Sequence, residues 1–595
     1  MKIRIIGAVA AGTSAAAKAR RNSESADIRL YCTETDISYS ACGLPYWLGG
    51  EVAELEELVP RDVAYFKSKY NVDVRTSHEV VRIDPTGKVL EVRNMATGEV
   101  FVDSFDKLLI ATGASAVRPP IPGADCGNVF TVRNPAGMRE MDRFLRERMP
   151  KRVLVVGSGP IGLEMAENFV RRGLQVTVVE MEDHLVKPLD ADVSVWVQEI
   201  LKNNGVRVIL SDAVLSMETG AGKAYIQADS ADLPEPTHAD MADEAGDKPE
   251  GMRKPGSQYV TGVNLHSGGF VDTDMVLLSV GIRPNVAIAR DAGVRLGPTG
   301  AIAVNGRMET NLPDIHAAGD CAESLHLVTG KAFWHPIGST ANKMGRIAGD
   351  QMTGGGLTFQ GTLGTSIFRI FDGTVAQTGL SEREARALGY KVSVCHNIKP
   401  DKPEYYHGEE MLIKAVADRS TGKLLGAQIV GKAGVDKRID VLATALSFGA
   451  RAEDLMHLDL AYAPPFSTTK DPVLYTGMIL ANDLSGTRPL ITAEDLLSRK
   501  EAGETIRIVD ARVPAQYRKA HVPGAENCPQ DMLRETEWPN DANLNVVTYC
   551  NKGVTGNAAQ NILKNLGCKN VYNLSGGMRQ FNKISDRISA RQTQE

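Results

Sequence analysis

Residues 152–163 read RVLVVGSGPIGL, an apolar run that ends in three glycines with GxGxxG spacing. The run predicts a buried strand, and the residues that follow, as far as Arg172, predict a helix. The first glycine of such a turn permits a tight bend, the second lets the backbone approach a pyrophosphate, and the third lets helix and strand pack closely. Gly157, Gly159 and Gly162 therefore predict a dinucleotide-binding turn in an α/β fold.

The next strand, 175–179, ends at Glu180. A carboxylate at this point can accept hydrogen bonds from ribose hydroxyls, and it repels a 2′-phosphate. Glu180 therefore predicts binding of NADH rather than NADPH.

The strand–glycine–helix pattern also opens the chain, with an apolar strand at 3–6, Gly7, Gly12 and a helical stretch at 14–21. Val9 occupies the position of the middle glycine, so this turn is less regular. Two such units form an internal repeat of architecture, each able to hold a dinucleotide.

The composition is that of a large globular chain. The 595 residues suggest about four domains at about 150 residues each. The net charge of -6 disfavours nucleic acid as the main partner. No signal peptide and no apolar run of about 20 residues is present, which predicts no membrane insertion. Eight sparse cysteines without close zinc-type spacing predict a cytoplasmic protein with no metal site.

Five regions are expected from the shifts in composition along the chain. An acidic, Pro-containing stretch at about 220–256 is poor in large apolar residues and predicts a solvated insertion. The predicted regions are 1–113, 114–283 with the insertion, 284–335, an α+β unit at 336–484 and a C-terminal α/β unit at 488–595.

Two further segments carry a resemblance. LLIATGA at 108–114 and DIHAAGD at 314–320, together with the two glycine turns, resemble the pyridine nucleotide–disulfide oxidoreductase family. The resemblance implies an FAD-binding domain in two parts (1–113 and 284–335), in which Asp320 contacts the ribityl chain. It also implies an NADH-binding domain (114–283) and a dimerisation domain (336–484). Cys32 departs from the family, which places a Glu there for the adenosine ribose of FAD. Glu34, two residues further on, is the candidate for that contact. The implied cofactor contacts are Gly7, Gly12, Glu34, Gly113, Gly157, Gly159, Gly162, Glu180, Gly281, Gly319 and Asp320.

Residues 38–47 read SYSACGLPYW. Dithiol members of the superfamily carry a second cysteine five positions after the first, where this chain has Trp47. A lone Cys42 must store its oxidised state as a sulfenic acid, a persulfide or a mixed disulfide. A short helix and a flavin beside it predict a lowered thiol pKa; the alternative is an inert cysteine. CGLPY resembles the coenzyme A disulfide reductases and favours the redox role.

Ser14, Lys18 and Arg21 lie at i, i+4 and i+7, hence on one helix face. Two cations and a hydroxyl suit the phosphates of coenzyme A, although a solvated basic face is the alternative. The resemblance to coenzyme A disulfide reductases supports the first interpretation. It also implies coenzyme A contacts at Ser38, Tyr70, Asn305 and Lys470. Ala41 departs from the pattern, since relatives carry Asn before the cysteine.

AGVDKRIDVLATA (433–445) and LAYAPPFSTTKD (460–471) resemble the dimerisation domain of the same subgroup. The resemblance implies a homodimer in which Tyr462 reaches the partner subunit's site and donates to a leaving thiolate. A second active-site tyrosine of some relatives aligns with Gly373, so the two-tyrosine arrangement is absent.

The stretch VVTYCNKGVTGNAA at 546–559 places Cys550 between an apolar strand and a helix. Backbone N–H groups and a helix N-terminus stabilise a thiolate or persulfide there. Lys552 adds positive charge and Thr555 a donor, while Gly553 and Gly556 shape the loop; an inert buried cysteine is the alternative. The loop resembles rhodanese domains, as do Asp510 and Arg512.

A coenzyme A disulfide reductase fused to rhodanese resembles the NADH-dependent persulfide reductases. The expected activity is FAD- and NADH-dependent reduction of coenzyme A persulfide, polysulfide or disulfide through Cys42, with sulfane sulfur carried by Cys550. Three alternatives remain: a coenzyme A disulfide reductase for thiol balance, an NADH oxidase or peroxidase, and a sulfur-trafficking or sensing protein.

Overall fold

The computed structural model describes residues 1–220, 258–538 and 543–592, and the acidic insertion predicted from the sequence lies almost wholly outside these ranges. Strands and helices are numbered in chain order. The N-terminal region contains β1 (Lys2–Ile6), α1 (Ala10–Asn22), β2 (Asp27–Tyr31), α2 (Leu44–Leu48), α3 (Val63–Tyr70), β3 (Asp73–Arg75), β4 (His78–Asp84), β5 (Val89–Asn94), β6 (Val100–Ser104), β7 (Lys107–Ile110) and β8 (Ala114–Ala116).

The region that follows contributes strands to two of the parallel sheets described below. Its elements are β9 (Val129–Phe130), α4 (Pro135–Arg148), β10 (Arg152–Val156), α5 (Pro160–Arg171), β11 (Gln175–Val179), α6 (Ala191–Asn203), β12 (Arg207–Ile209), β13 (Val214–Gly220), β14 (Tyr259–Leu265), β15 (Phe270–Asp272), β16 (Met275–Leu278), β17 (Ile282–Pro284), α7 (Ala287–Asp291), β18 (Ile315–Ala317), β19 (Ser324–Leu325), β20 (Ala332–Phe333) and α8 (Gly338–Met352).

The last two regions complete the described chain. The first contains β21 (Ser366–Ile370), β22 (Gly373–Gly379), α9 (Glu382–Ala387), β23 (Val392–Pro400), β24 (Glu410–Asp418), β25 (Leu424–Gly431), α10 (Val435–Ser447) and α11 (Pro472–Leu484). The second contains β26 (Leu490–Ile491), α12 (Ala493–Glu501), β27 (Ile506–Asp510), α13 (Pro514–Lys519), β28 (Ala525–Asn527), β29 (Asn545–Tyr549), α14 (Val554–Asn565), β30 (Asn570–Leu574) and α15 (Gly577–Gln592).

Three five-stranded sheets are parallel, with the orders β18-β7-β1-β2-β3, β12-β11-β10-β16-β9 and β26-β30-β29-β27-β28. A fourth, β21-β22-β25-β24-β23, is antiparallel. The strand β10, which the opening motif predicts, lies at the centre of the second sheet with every residue after Arg152 buried. The predicted α/β class, with two dinucleotide-type sheets, an α+β unit and a C-terminal α/β unit, is confirmed.

Helices α1 and α8 pack unusually closely because glycines on α8 face α1. A Cβ atom on Gly345 would overlap the backbone of Ala11, and one on Gly349 would overlap the backbone of Ala15. This close approach brings the polar face of α1 beside polar residues of α8.

The C-terminal unit is joined to the rest of the chain by buried polar contacts. The His396 Nε2 on β23 lies 2.6 Å from Asp192 Oδ2 on α6, and the Lys414 ammonium lies 2.8 Å from the same carboxylate. The His396 backbone N–H donates to Ser575 Oγ of the C-terminal unit at 2.7 Å. The Trp196 indole donates to Gln580 at 2.9 Å. Buried charges need such partners, so this junction fixes where the C-terminal unit sits.

Candidate active site

The first nucleotide turn lies where β1, β7 and β18 end side by side. The carboxyl ends of parallel strands meet at one edge, which brings Gly7, Gly113 and Gly319 together. Gly7 has φ of +111°, and a Cβ atom there would overlap the Ala111 carbonyl oxygen; a Cβ on Gly12 would overlap the Gly7 carbonyl. Glycine is therefore required by packing at both positions, and the tight turn fits a bound dinucleotide.

Asp320 follows Gly319 at the mouth of this turn. Its carboxylate accepts from Arg133 Nη2 at 3.1 Å, and its backbone carbonyl accepts from the Trp334 indole at 2.8 Å. Arg133 also lies against Gly113. The proposed ribityl contact thus has a cationic neighbour that the sequence did not indicate.

Glu34, the candidate for the adenosine ribose, lies after β2. One of its carboxylate oxygens accepts from Asn134 Nδ2 at 2.8 Å, and the Tyr39 hydroxyl bonds to the same carboxylate. Cys32 does not suit this role, because burial and the charge of Glu34 raise the pKa of its thiol to about 12. Glu34 retains acceptor capacity for a ribose, and the assignment stays a prediction.

The second nucleotide turn joins β10 to α5. Gly157 has φ of +95° and fits tightly against the Ser279 carbonyl, and Gly162 fits tightly against Gly157. A Cβ on Gly159 would meet no atom within 4 Å. Packing therefore does not require a glycine at this position, whereas an approaching pyrophosphate does, so the cradle fits NADH. Gly281 lies after the neighbouring strand β16 and is exposed.

Glu180 lies beside this turn, as predicted, but the chain itself uses part of its carboxylate. The Oε2 atom accepts from the Ser158 backbone N–H at 2.9 Å and from Ser158 Oγ at 2.7 Å. The Oε1 atom accepts from the Glu182 N–H at 3.0 Å. Glu180 thus orders the glycine turn through Ser158, a residue that sequence reasoning missed although it lies between the first two glycines. The ribose contact stays a prediction.

Cys42 lies on a 3₁₀ turn, Ala41–Gly43, directly before the short helix α2. Its side chain is exposed, and all eight cysteines of the chain are free thiols. Trp47, which stands where a dithiol enzyme has its second cysteine, packs against the core of the second unit. Cys42 is therefore a single thiol, and its oxidised form is a sulfenic acid, a persulfide or a mixed disulfide rather than a local disulfide.

The groups that the chain itself supplies do not lower the pKa of Cys42, so the predicted lowering rests on the bound flavin and stays a prediction. Partial burial of the thiol, followed by the carboxylates of Glu164 and Asp320, raises the pKa of Cys42; Arg133 opposes this. The reason is that both nucleotide-binding units bring a carboxylate towards the sulfur, while the helix after it has only five residues.

Glu164 is a site residue that sequence reasoning missed. Burial raises the pKa of this carboxyl to about 7, and the Tyr46 hydroxyl donates to its Oε1 at 2.8 Å. The guanidinium of Arg369 lies 5.1 Å from the centre of the Tyr46 ring. Glu164 follows Gly162 by two residues and Tyr46 follows Cys42 by four, so both could have been noticed on the helices that the motifs define.

Ser14, Lys18 and Arg21, the predicted coenzyme A contacts on α1, differ in exposure, and one of the two cations has an anionic partner. Ser14 and Lys18 are the half-buried residues of an otherwise buried stretch, and Arg21 is exposed. The Ser14 hydroxyl bonds to Asn342, and the Lys18 ammonium lies 2.9 Å from Asp350 on α8. Lys18 is thus largely neutralised in the chain as it stands, which leaves Arg21 as the more available cation.

The remaining coenzyme A candidates lie on separate elements. Tyr70 ends α3, and its carbonyl accepts from buried Arg20 on α1 at 2.7 Å. Ser38 has φ of +52°, and its N–H donates to the Ala8 carbonyl of the first turn. The Asn305 side chain caps its own loop through bonds to Arg307 and Glu309. Tyr70 and Ser38 border the first unit, whereas Asn305 has a local structural task.

Tyr462 and Lys470 lie in the loop before α11, on an exposed face of the antiparallel-sheet unit. Tyr462 is 49% exposed, Phe466 is 70% exposed and Phe448 is 86% exposed. Large apolar side chains this exposed indicate a surface that another protein surface covers. The unit therefore exposes apolar side chains of the kind that protein partners cover.

Cys550 directly follows β29 and precedes α14, as predicted. The residue is only 6% exposed, and its sulfur accepts from the Gly553 N–H at 3.2 Å. Thr555 and Gly556 lie in the first turn of α14, and Gly556 permits contact with the backbone of β29. The Arg512 guanidinium bonds both Asp510 and Asn551, the neighbour of Cys550. The arrangement can hold an anionic sulfur.

Lys552 does not act alone in this loop. It forms an ion pair with Glu410 of β24, which also pairs with Arg579 of α15. The Glu410 carboxylate offsets part of the positive charge that Lys552 was predicted to add beside Cys550. It also links the Cys550 loop to the antiparallel-sheet unit.

The described residues contain neither a candidate membrane-spanning helix nor a candidate metal-binding cluster. Within residues 1–220, 258–538 and 543–592, no helix combines the length and apolar character needed to cross a bilayer. The same described ranges contain no cluster of three or more His, Cys, Asp or Glu side chains suited to a metal ion.

Comparison with known proteins is consistent with this geometry. The model of the pyridine nucleotide-disulphide oxidoreductase family matches residues 1–335, that of its dimerisation domain residues 365–472, and that of the rhodanese-like domain residues 492–584. The chain is 34% identical over 481 residues to the NAD(P)H sulfur oxidoreductase (CoA-dependent) of Pyrococcus furiosus, covering 80% of this chain and 99% of the relative.

Two solved structures match almost the whole chain. The reduced CoADR-RHD of Bacillus anthracis has a TM-score of 0.89 at 33% identity and covers 98% of each chain. The NAD-dependent persulfide reductase from A. fulgidus has a TM-score of 0.85 at 32% identity, covering 98% of this chain and 100% of the other.

Proposed function

Because the chain belongs to the pyridine nucleotide-disulphide oxidoreductase family, we propose that it uses FAD and NADH to reduce coenzyme A persulfide or polysulfide. Sulfide and coenzyme A are the products, and coenzyme A disulfide is a further substrate. One observation carries the proposal: a lone Cys42 between two nucleotide turns shares the chain with Cys550 in an anion-binding loop. A reductase of disulfides alone has no need of a second, sulfur-carrying loop.

The first glycine turn, with Glu34, Gly113 and Asp320, would hold FAD, and the second, with Glu180 and Gly281, would hold NADH. Bound there, FAD would supply the redox chemistry that links NADH oxidation to the sulfur of Cys42. Ser158 keeps Glu180 in place through hydrogen bonds of 2.9 and 2.7 Å. Glu180 also repels a 2′-phosphate, so NADPH is the poorer donor.

Cys42 performs the sulfur chemistry. Its thiolate attacks the terminal sulfur of a coenzyme A persulfide, which forms a Cys42 persulfide and releases the coenzyme A thiolate. Two electrons then cleave the Cys42 persulfide, regenerating the thiolate and releasing hydrosulfide. The single cysteine suits this cycle, since a second thiol beside it would expel hydrosulfide by attacking the inner sulfur of the Cys42 persulfide. An intrachain disulfide, and no longer the persulfide, would then be reduced.

The coenzyme A part of the substrate would bind along α1, with its phosphates near Arg21, Lys18 and Ser14. Further contacts would come from Ser38, Tyr70, Asn305 and Lys470. Lys18 must then exchange Asp350 for a phosphate, or share the two. The exposed aromatic surface that includes Tyr462 supports a homodimer in which Tyr462 of one subunit donates to the thiolate leaving in the other. Eight free thiols fit a reducing, cytoplasmic location.

Anaerobic NADH consumption tests the proposal, with coenzyme A persulfide and coenzyme A disulfide compared at equal concentration. We expect faster turnover with the persulfide and one sulfide released per NADH. Faster turnover with the disulfide would indicate an enzyme of thiol balance. Turnover with neither would contradict the proposal and favour oxygen, peroxide or sulfur trafficking.

A further inference from the structure

The surroundings of Cys550 include a second protein unit. The loop of Cys550 lies at the tip of the β23–β24 hairpin, where Pro400 is the cross-strand neighbour of Glu410. Glu410 pairs with Lys552, two residues after Cys550, and with Arg579. The Arg579 N–H donates to the Asn551 carbonyl at 3.0 Å, and the Met578 N–H donates to the Cys550 carbonyl at 2.8 Å. The hairpin tip is therefore fixed against the cysteine loop.

Lys399, the residue before Pro400, lies at this tip. Its ammonium lies 4.1 Å from the centre of the Tyr475 ring on α11, and the ammonium of Lys470 lies 5.9 Å from the same centre. Cation–π contacts of this kind hold a lysine in place without neutralising its charge.

The charge around Lys399 is unbalanced. Burial, then the nearby Lys552, lower the pKa of Lys399; a Cys550 thiolate raises it and Lys470 lowers it again. Within the described residues Lys399 and Lys470 form no ion pair, whereas Lys552 and Arg579 share the single carboxylate of Glu410. Lys399 and Lys470 thus add two cations without an ion pair to Lys552 and Arg579 near the hairpin tip that is fixed against the Cys550 loop.

We infer that Lys399, Lys470 and Tyr475 complete the Cys550 site and select sulfur donors and acceptors that carry phosphate groups. This inference deepens the proposed function, since it names the chemistry that Cys550 accepts. Lys399 and Lys470 bind the phosphates electrostatically, while the loop N–H groups hold the sulfur. The antiparallel-sheet unit therefore contributes substrate selection to a cysteine that lies in another unit.

The transfer itself conserves electrons. The Cys550 persulfide gives its terminal sulfur to an incoming thiolate; the new S–S bond forms as the Cys550–sulfur bond breaks, and the electron pair stays on Cys550. The reverse reaction loads Cys550. Neither direction needs an oxidant or reductant, so the step can be measured without NADH.

A pair of acceptors isolates the contribution of charge. Coenzyme A and pantetheine have the same thiol arm, but only coenzyme A carries phosphates. The full chain with Cys42→Ser, loaded at Cys550 with inorganic polysulfide, is mixed with either acceptor, and persulfide transfer is followed by mass spectrometry in a single turnover. We expect transfer to coenzyme A to be about tenfold faster, with a preference that falls as salt is added.

Lys399→Met should reduce that preference to about twofold and leave the pantetheine rate unchanged, and Lys399→Arg should restore it. Lys391→Met is the matched control, because this exposed lysine lies just before the opposite end of the same strand. Lys470→Met should give a smaller loss in the same direction.

Several outcomes would overturn the inference. These are equal rates for the two acceptors in the parent protein, an equal loss for both acceptors in Lys399→Met, and the same loss in Lys391→Met. A Cys550 that takes up no sulfur would also overturn it. NADH consumption by the unmodified chain, measured separately, shows whether the proposed reductase function stands in that case.

Discussion

Cys42 lies exposed on a three-residue 3₁₀ turn before a five-residue helix, whereas Cys550 lies buried at the start of the twelve-residue helix α14. The charges nearest to Cys42 are the carboxylates of Glu164 and Asp320, opposed by one arginine. The loop of Cys550 is bordered by lysines and by the bond from the Gly553 N–H.

The difference shows that the two thiols depend on different neighbouring groups for their reactivity. The chain alone disfavours a thiolate at Cys42, so its reactivity depends on groups that bind between the two nucleotide units. At Cys550 the chain itself supplies the donors and cations that an anionic sulfur needs, part of them from a separate unit. Under the proposed roles, the redox sulfur would thus depend on its cofactors, whereas the carrier sulfur would be preorganised.

Replacing the cysteines one at a time is the strongest way to break this comparison. Cys42→Ser should lower NADH-linked reduction of coenzyme A persulfide by at least about a thousandfold, because Cys42 is exposed whereas Cys321, the thiol at the first nucleotide turn, is fully buried. Loading of Cys550 by polysulfide should be unchanged. Anaerobic NADH absorbance and mass spectrometry measure the two properties, with Cys568→Ser as the control. Turnover retained in Cys42→Ser would place the redox sulfur elsewhere.

The reciprocal variant separates the carrier from the reductase. Cys550→Ser should lower NADH consumption with inorganic polysulfide by about thirtyfold, since polysulfide then cannot reach coenzyme A through the carrier loop. With preformed coenzyme A persulfide the rate should stay within about twofold. Full turnover of Cys550→Ser with polysulfide would remove Cys550 from the pathway.

The comparison also shows what the sequence could predict. Strand–glycine–helix patterns located both nucleotide turns and the Cys550 loop, because backbone geometry at those points depends on local residues such as Gly157 and Gly556. The charges around the sulfurs could not be found in this way. Glu164 is 122 positions from Cys42, Lys399 is 151 positions from Cys550, and Asp350 pairs with Lys18 only because α8 packs on α1. Electrostatics of a site depends on tertiary neighbours, which no local pattern contains.

Glu164 offers a sharper test of the electrostatics at Cys42. Its pKa is raised to about 7 by burial, from an ordinary value of 4.5. A carboxyl whose folded pKa is raised favours folding below its ordinary value, and this advantage is lost as the pH rises through about 7. Above that pH the carboxylate also opposes ionisation of Cys42.

Glu164→Gln should therefore accelerate alkylation of Cys42 by iodoacetamide about fivefold at pH 8. The variant should also be more stable, relative to the wild type, at pH 8 than at pH 5.5. Peptide mass spectrometry and thermal unfolding at the two pH values give the readouts, with exposed Glu147→Gln as the control. Unchanged alkylation at pH 8 would show that Glu164 does not control the thiol.

Replacing Glu410 gives the smallest expected effect, and it tests the contribution of the cations near Cys550. Its carboxylate pairs with both Lys552 and Arg579. Glu410→Gln keeps a hydrogen-bonding side chain but removes the charge, so the potential at Cys550 becomes more positive. Sulfur transfer from Cys550 to coenzyme A should then rise about threefold, with little change for pantetheine. Glu409→Gln, a neighbouring exposed residue, should leave both rates unchanged. A slower transfer to both acceptors would instead show that Glu410 matters for fixing the loop against the hairpin, because loss of position affects any thiol whereas added charge favours only the phosphorylated one.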